Sequence, residues 1–283
     1  MKFFAALTLL AIASTSAASP IANTTVAVKR SGPGKRGLAW PWYNTPLNPG
    51  KFHDGSGSVT RIYDWETYAP PSSNGKGGLN FIGMQRCMDC DSSPIGQLAA
   101  RQKQVGFATV FTLNEPDING ITPAAAAEWY IQHINPLSIK KAIPAVTSST
   151  AAGQGLDWAV KFRDACAGRC FFDYVNIHWY GETLAQFKAH VTKTHNTFPG
   201  KKIVISEFAL RKPGSQAAQV KFFKAAFKFL DAHDYVAMYF PFVATSPKLL
   251  SANDPAGAAF VGTGSTLFDN DGTLSPVGKL MLA

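Results

Sequence analysis

The sequence predicts an α/β fold, a single-domain (β/α)8 TIM barrel that follows a short leader. Eight short apolar runs recur along the chain, helical patterns lie between most of them, and roughly 250 residues remain once the leader is set aside. Runs that are apolar throughout are typical of strands buried on both faces of a parallel sheet. A length of about 250 residues is usual for such a barrel. An open doubly wound sheet is the alternative, but the glycine-rich phosphate loop that it would need does not follow the first run.

The amino terminus has the features of a secretory signal peptide, which we place at residues 1–18. Met1-Lys2 gives a positive start, an apolar stretch follows, and Ser16-Ala17-Ala18 supplies the small residues of a cleavage site. The apolar stretch is too short to cross a bilayer. We therefore expect a secreted protein, extracellular or in the cell wall, with no membrane partner.

Residues 19–36 show no helical or strand period and contain two dibasic pairs, Lys29-Arg30 and Lys35-Arg36. Such pairs are typical of processing sites in the secretory route, although a solvated basic linker would also explain them. We predict a pro-segment over residues 19–36 that ends at the second dibasic pair, and one barrel domain over residues 37–283.

The charge of the chain is concentrated in this leader. The full chain has 27 basic and 18 acidic residues and a net charge of +9. Residues 1–36 contain five of the basic residues and none of the acidic ones, so residues 37–283 carry a net charge of +4. No basic patch is interleaved with aromatic residues, and we therefore expect no nucleic-acid partner.

Four cysteines form two local groups, Cys87 with Cys90 and Cys166 with Cys170. In a secreted chain they indicate two disulfides, and the simplest of the three possible connectivities is Cys87–Cys90 and Cys166–Cys170. A zinc site is the alternative, but histidine neighbours are missing, so we expect no metal.

The apolar runs predict eight strands, and caps and apolar stripes predict the helices. The predicted strands are Gly37–Trp40, Thr60–Tyr63, Asn80–Met84, Thr109–Leu113, Ala142–Val146, Tyr174–His178, Lys202–Ser206 and Tyr235–Phe240. The predicted helices are Ile95–Gln104, Ala124–Ile134, Leu156–Cys166, Thr183–His195 and Gln216–Leu230, with a short last helix after Ser275-Pro276. Thr122-Pro123 and Ser215 are typical helix starts. Residues 244–264 are predicted to form a long loop.

Two glutamates follow predicted strands directly. Glu115 comes after the fourth strand and Glu207 after the seventh, and active residues of these barrels lie at the carboxyl ends of the strands. A carboxylate buried there without a partner is costly, which favours a functional role over packing. Glycoside hydrolysis needs two carboxyl groups, about 5–5.5 Å apart in enzymes that retain the anomeric configuration. The pair therefore predicts a glycosidase.

Five segments carry a resemblance to the fungal branch of glycoside hydrolase family 128. They are Arg36–Trp42 (RGLAWPW), Thr112–Pro116 (TLNEP), Val175–Tyr180 (VNIHWY), Ile205–Phe208 (ISEF) and Leu267–Thr273 (LFDNDGT). The resemblance covers essentially all of residues 37–283 and implies a retaining endo-β-1,3-glucanase. It implies no cofactor and a β-glucan polysaccharide or oligosaccharide as partner, and we expect a monomer.

The resemblance also implies a role for each matching residue. Glu115 matches the acid/base and Glu207 the nucleophile, while Asn114 matches the amide that holds the sugar 2-hydroxyl. His178 and Tyr180 match a pair on the sixth strand, whose tyrosine hydrogen-bonds the nucleophile. We expect Glu207 and partial burial to raise the pKa of Glu115.

Aromatic side chains near strand ends are candidate platforms for sugar rings. We select Trp40, Trp42 and Trp179, with Tyr239 as a further candidate, because aromatic faces bury the C–H faces of sugars. Members of the clan often end the eighth strand with tryptophan, whereas residues 238–242 here are Met-Tyr-Phe-Pro-Phe. The platform at that strand therefore stays open.

Three further questions remain open at this stage. Asp64 and Glu66 could bind sugar hydroxyls or form salt bridges with Arg61 or Arg86. The substrate could be another β-glycan, such as β-1,6-glucan or β-galactan. The chain could also be a non-catalytic cell-wall glucan-binding protein or a structural wall protein, although both glutamates are present and no repeats are seen.

Overall fold

The structure is a computed structural model that describes residues 34–212 and 215–283. The predicted signal peptide and nearly all of the predicted pro-segment lie outside the described residues and stay predictions. Among the described residues, no helix is both long enough and apolar enough to cross a membrane.

Nine parallel strands form a nearly closed barrel. They are β1 (Arg36–Ala39), β2 (Val59–Tyr63), β3 (Asn80–Phe81), β4 (Gly83–Gln85), β5 (Thr109–Asn114), β6 (Lys140–Ala145), β7 (Tyr174–Gly181), β8 (Lys202–Leu210) and β9 (Val236–Pro241). Their order is β3-β2-β1-β9-β8-β7-β6-β5-β4. Only Ile82 separates β3 from β4, so these two segments act as one strand of an eight-stranded barrel. The predicted (β/α)8 fold is confirmed.

The first five helices of the described chain lie between strands, as their sequence patterns predicted, and three more follow β9. They are α1 (Leu98–Val105), α2 (Pro123–Trp129), α3 (Gly155–Cys166), α4 (Leu184–Thr197), α5 (Gln216–Ala232), α6 (Pro247–Asn253), α7 (Pro255–Val261) and α8 (Pro276–Leu280). The hydroxyls of Thr122 and Ser215 accept the backbone N–H of the third helical residue, which confirms both predicted starts. A π-helical turn, Tyr130–Ile134, extends α2.

The region predicted as a loop over residues 244–264 contains α6 and α7, so that prediction is wrong. Ser246 and Asp254 cap the two helices, and a proline occupies the first position of each. These starts were visible in the sequence. They were missed because each helix is only seven residues long and has no extended apolar stripe.

The barrel interior is filled by its own cluster of apolar side chains, separate from the larger layer between strands and helices. Tyr63, Phe111 and Phe240 make mutual edge-to-face contacts with ring centroids 5.1–5.7 Å apart. The Tyr63 hydroxyl also donates to the carbonyl of Ser206, at 2.9 Å. The aromatic interior is thus hydrogen-bonded to the strand that carries Glu207.

Both cysteine groups form disulfides, Cys87–Cys90 and Cys166–Cys170. This is the pairing that the sequence analysis favoured.

Arg36 lies at the amino-terminal end of β1 and is almost fully buried. Its guanidinium donates to the hydroxyl of Tyr239 at 2.8 Å and to the carboxylate of Asp231 at 2.9 Å. It also donates to the carboxy-terminal backbone carbonyls of Leu280, Met281 and Ala283. Arg36 is the first residue of β1 and connects this strand to α5 and α8.

Candidate active site

A cleft of about 1190 Å³ opens at the carboxyl ends of the strands. Glu115, Glu207, Asn114 and Tyr180 all line it. The structure thus brings together these four predicted site residues, from β5, β7 and β8, and Trp42 also lines the cleft.

Glu115 follows β5 in a left-handed backbone conformation, with φ of +48°. Its N–H donates to the carbonyl of Ala145 at 2.8 Å, which holds the turn against β6. A non-glycine residue in this region costs about 1–3 kcal/mol and persists only where the surrounding structure enforces it. The turn directs the carboxyl group into the cleft and leaves it partly exposed.

Glu207 lies within β8, next to irregularities in register with both neighbouring strands. Such bulges redirect side chains, and here the carboxyl group faces the cleft while only 6% of the residue is exposed. The hydroxyl of Tyr180 donates to Oε2 at 2.6 Å, as predicted, and the indole Nε1 of Trp65 donates to Oε1 at 2.7 Å.

His178 lies between the two glutamates and is fully buried. Its Nδ1 is 2.9 Å from Glu115 Oε1, while its Nε2 is 3.0 Å from Ser206 Oγ and 3.5 Å from Glu207 Oε1. One ligand atom from each of the three residues falls within 4.8 Å of the other two, a spacing that could also hold a metal ion. In the structure these atoms are already engaged with each other and with Ser206.

The pKa of Glu115 is shifted in the direction opposite to the expected one, whereas that of Glu207 is raised. Burial, together with the charge of Glu115, raises the pKa of Glu207. Burial also acts to raise the pKa of Glu115, but the hydrogen bond and charge of His178 outweigh it and lower that pKa. Burial opposes charge on His178, yet Glu207 and Glu115 raise its pKa. The expectation considered only the two carboxyl groups, whereas the imidazole of His178 is also hydrogen-bonded to Glu115.

His178, predicted to contact substrate, is not part of the cleft lining. The ring lies below the two glutamates with no exposed surface. Its contacts with both carboxyl groups indicate that it positions them.

Trp42 is the predicted aromatic platform that does face the cleft. It is 64% exposed and lines the cleft beside Tyr43, with ring centroids 5.5 Å apart in an edge-to-face contact. Its exposed face is available to a sugar ring.

The other three aromatic predictions are corrected because these rings are buried away from the cleft. Trp40 packs edge-on against Phe268, and its indole donates to the carbonyl of Pro71 at 2.9 Å. Trp179 is stacked on Phe222 in the outer apolar layer, with centroids 5.5 Å apart. Tyr239 donates to Asp231 at 2.8 Å, next to Arg36. Side chains alternate across a strand, so Trp179 points away from the face that His178 and Tyr180 share.

The two acidic residues after β2 have different partners. Glu66 forms a salt bridge with Arg86 at 2.9 Å and accepts hydrogen bonds from the hydroxyls of Ser92 and Ser93. Asp64 lines the cleft, and its Oδ2 has no hydrogen-bond partner among the described residues. Burial and the charge of Glu66 raise the pKa of Asp64 well above its usual range. Both residues line the cleft and both are buried, so the salt bridge is shown for Glu66, and a sugar contact of either residue stays a prediction.

Several residues of the cleft were not predicted. Trp65 lines the cleft and donates to Glu207. Ser206 is buried outside the cleft lining and contacts His178. Of the five large hydrophobic side chains exposed in the described part of the chain, four line the cleft, namely Trp42, Tyr68, Ile118 and Phe260. Phe260 lies on α7, which was predicted as a loop. The signal that could have identified it was the Asp254-Pro255 helix start.

Comparison with known proteins places the chain among glycoside hydrolases. Residues 37–281 match the family model described as glycosyl hydrolase catalytic core. The chain is 64% identical to a subgroup IV endo-β-1,3-glucanase of glycoside hydrolase family 128 from Lentinula edodes, with a TM-score of 0.86 over 88% of this chain and 99% of that one. It is 26% identical to a curdlan-specific exo-β-1,3-glucanase of subgroup III from Blastomyces gilchristii, solved with glucose, with a TM-score of 0.70 over 89% and 100% of the two chains.

A curated relative is alkali-sensitive linkage protein 1 of Schizosaccharomyces pombe, which is 29% identical over 261 residues. The match covers 88% of this chain but 44% of that protein, so the chain spans less than half the length of this relative.

Proposed function

Because this chain belongs to the glycosyl hydrolase catalytic core family and to glycoside hydrolase family 128, we propose that it is a secreted endo-β-1,3-glucanase that retains the anomeric configuration. It hydrolyses internal β-1,3 bonds of glucan by double displacement, with Glu207 as nucleophile and Glu115 as acid/base.

The observation that carries the retaining mechanism is the separation of the two carboxyl groups. One oxygen of Glu115 and one of Glu207 lie within 4.8 Å of each other. Retaining glycosidases hold these groups about 5–5.5 Å apart, whereas inverting enzymes need about 6.5–9.5 Å to admit a water molecule. The short separation favours direct attack by Glu207 on the sugar.

In the first step, a Glu207 oxygen bonds to the anomeric carbon as the bond to the departing glucan breaks. Glu115 gives its proton to the departing oxygen, and His178, 2.9 Å from Glu115 Oε1, holds that carboxyl group in position. Esterification removes the charge of Glu207. In the second step, Glu115 accepts a proton from water as the water oxygen attacks the same carbon, and Glu207 is released.

The lining of the cleft supports a polysaccharide substrate. Exposed apolar faces alternate with polar groups such as Asp64, Asn114 and Arg211. This combination suits sugar rings, whose C–H faces are apolar and whose edges carry hydroxyls. The cleft volume of about 1190 Å³ exceeds what one glucosyl unit needs, which supports an endo pattern on a chain of several units.

The test is a product time course on linear β-1,3-glucan with the wild type and a Glu115→Gln/Glu207→Gln double variant. We expect the wild type to give mixed oligosaccharides early and the double variant to give none. Release of glucose alone would contradict the endo pattern. Binding without hydrolysis by both proteins would favour a glucan-binding protein. Hydrolysis of β-1,6-glucan or β-galactan instead would correct the linkage. Proton NMR of the first products distinguishes retention from inversion.

A further inference from the structure

We propose that Trp65 is a positioning residue that orients the Glu207 carboxylate for attack and stabilises its charge. This inference rests on the proposed role of Glu207 as nucleophile.

Each oxygen of Glu207 has one short hydrogen bond from a neutral donor. Tyr180 donates to Oε2 at 2.6 Å and Trp65 donates to Oε1 at 2.7 Å. Two donors on different oxygens fix the rotation of the carboxyl plane, which one donor alone would leave free. An indole N–H can only donate, so this contact favours the ionised carboxylate at every pH at which the enzyme works.

The backbone and the packing of Trp65 hold the indole in this position. Its φ is +61°, a left-handed conformation that is uncommon for a bulky residue. Its ring packs against Tyr63 and Phe242, with centroids 4.9 and 6.5 Å away. These contacts direct Nε1 from the end of β2 across the cleft to β8.

A stacking platform is the competing role, since Trp65 is half-buried and also lines the cleft. The two roles predict different kinetics. Loss of a platform weakens binding and raises KM, whereas loss of a donor to the nucleophile lowers kcat and changes how activity depends on pH.

The experiment compares Trp65→Phe with the wild type on laminari-oligosaccharides. Phenylalanine keeps an aromatic face but has no N–H. We expect kcat to fall about 10- to 100-fold, because small misplacements of a reacting group cost up to about 100-fold, with KM changed less than about threefold. The acidic limb of the kcat/KM profile should move to higher pH, because the carboxylate loses a donor that favours its charged form.

Trp129→Phe is the matched control. The indole of Trp129 donates to the carbonyl of Met88 at 2.8 Å, outside the cleft, so this variant loses the same kind of hydrogen bond elsewhere. Its kcat and pH profile should match the wild type.

A rise in KM alone, with the wild-type pH profile, would overturn the proposal and leave Trp65 as a platform. If Trp65→Phe is unstable at the assay temperature, site-specific 3-benzothienylalanine at position 65 keeps the ring shape and removes the N–H, and the same criteria apply to it. The comparison uses whichever β-glycan the wild type hydrolyses. If the wild type is inactive on β-1,3-glucan, the substrate assignment is overturned, and the Trp65 proposal is still tested on the β-glycan that the wild type hydrolyses.

A second, independent observation concerns maturation. We infer that the mature protein is not produced by cleavage after Arg36, at the second dibasic pair. Lys35 donates to the carbonyls of Leu230, Asp231 and His233 at 2.8–3.2 Å. Arg36 is 3% exposed and pairs with Asp231.

These contacts make the second dibasic pair inaccessible in the folded chain. A protease needs an extended, exposed segment, whereas Arg36 is in the sheet and Gly34 is already hydrogen-bonded to Gly57 at 3.0 Å. Cleavage after Arg36 would also remove the residue that connects β1 to α5 and α8.

The test is the amino-terminal sequence of the protein secreted by a fungal host that has a dibasic endoprotease. We expect the first residue to lie before Lys35. A wild-type terminus at Gly37 would overturn the inference. The variant Lys35→Gln should have the same first residue as the wild type.

Discussion

The two ends of the barrel differ in how completely their buried polar groups are hydrogen-bonded. At the amino-terminal end, Arg36, Tyr239 and Asp231 form a closed network in which each side chain has a short hydrogen bond to another. At the carboxyl end, Asp64 Oδ2 and Asn114 Oδ1 are buried without a partner among the described residues. A buried polar atom without a hydrogen bond costs about 1–3 kcal/mol.

The backbone shows the same contrast. Trp65, Leu113 and Glu115, all next to the ends of β2 and β5, have positive φ values. Three of the five non-glycine residues with positive φ among the described residues therefore lie where substrate would bind, while the Arg36 network at the opposite end is fully paired. This separation predicts that substitutions at one end change activity and those at the other end change folding.

The largest effect is expected for Glu207→Gln. Loss of the nucleophile should lower kcat by at least about 10⁴-fold. Its melting temperature should equal or exceed that of the wild type near neutral pH, because burial raises the pKa of Glu207 and disfavours its charged form there. Steady-state kinetics and calorimetry measure the two quantities, with Glu128→Gln as an exposed control. A strongly destabilised Glu207→Gln would contradict the contrast between the two ends.

Glu115→Ala should lower hydrolysis of glucan about 10²–10⁴-fold, since it removes general acid catalysis. The loss should be much smaller with a 2,4-dinitrophenyl glycoside, whose leaving group needs no proton. Added azide should then give a glycosyl azide that retains the β configuration. Equal losses on both substrates would argue that Glu115 has another role.

Arg36→Met should change stability and leave catalysis intact. Removing one partner of a buried ion pair costs about 3–5 kcal/mol, or a melting temperature lower by roughly 10 °C for a chain of this size. Arg169→Met, which breaks the exposed pair with Glu128, should cost less than about 1 kcal/mol. Below its melting temperature, Arg36→Met should keep wild-type kcat. A selective loss of kcat would show that the two ends are coupled.

The smallest effect is expected for Asp64→Asn, and it depends on pH. The folded state raises the pKa of Asp64, so it binds the proton more tightly than the unfolded chain does. This contribution to stability is complete below the unfolded pKa, about 4, and is lost as pH rises through the folded value. The melting temperature of Asp64→Asn, measured relative to that of the wild type, should therefore rise as the pH increases above about 4. A constant difference across that range would show that Asp64 does not titrate as expected.

Much of this molecule follows from local sequence patterns. The apolar runs predicted all eight barrel strands, and the caps Thr122 and Ser215 predicted helix starts, because strand burial and capping depend on neighbouring residues. The same patterns placed Glu115 directly after β5, and the alternation along β7 put His178 and Tyr180 on one face. Glu207 was expected directly after its strand, whereas β8 continues to Leu210 and Glu207 lies within it.

What only the tertiary structure decided depends on residues far apart in the chain. Trp42 and Trp40 are two positions apart, yet the first faces the cleft and the second is buried against Phe268. Trp65 reaches Glu207 because of a positive φ and aromatic neighbours from other strands. The order of the carboxyl pKa values depends on where the His178 ring lies. Sequence periodicity determines which segments are strands, but where β7 and β8 end, and the direction, burial and charge of the side chains near those ends, depend on the other strands packed around them.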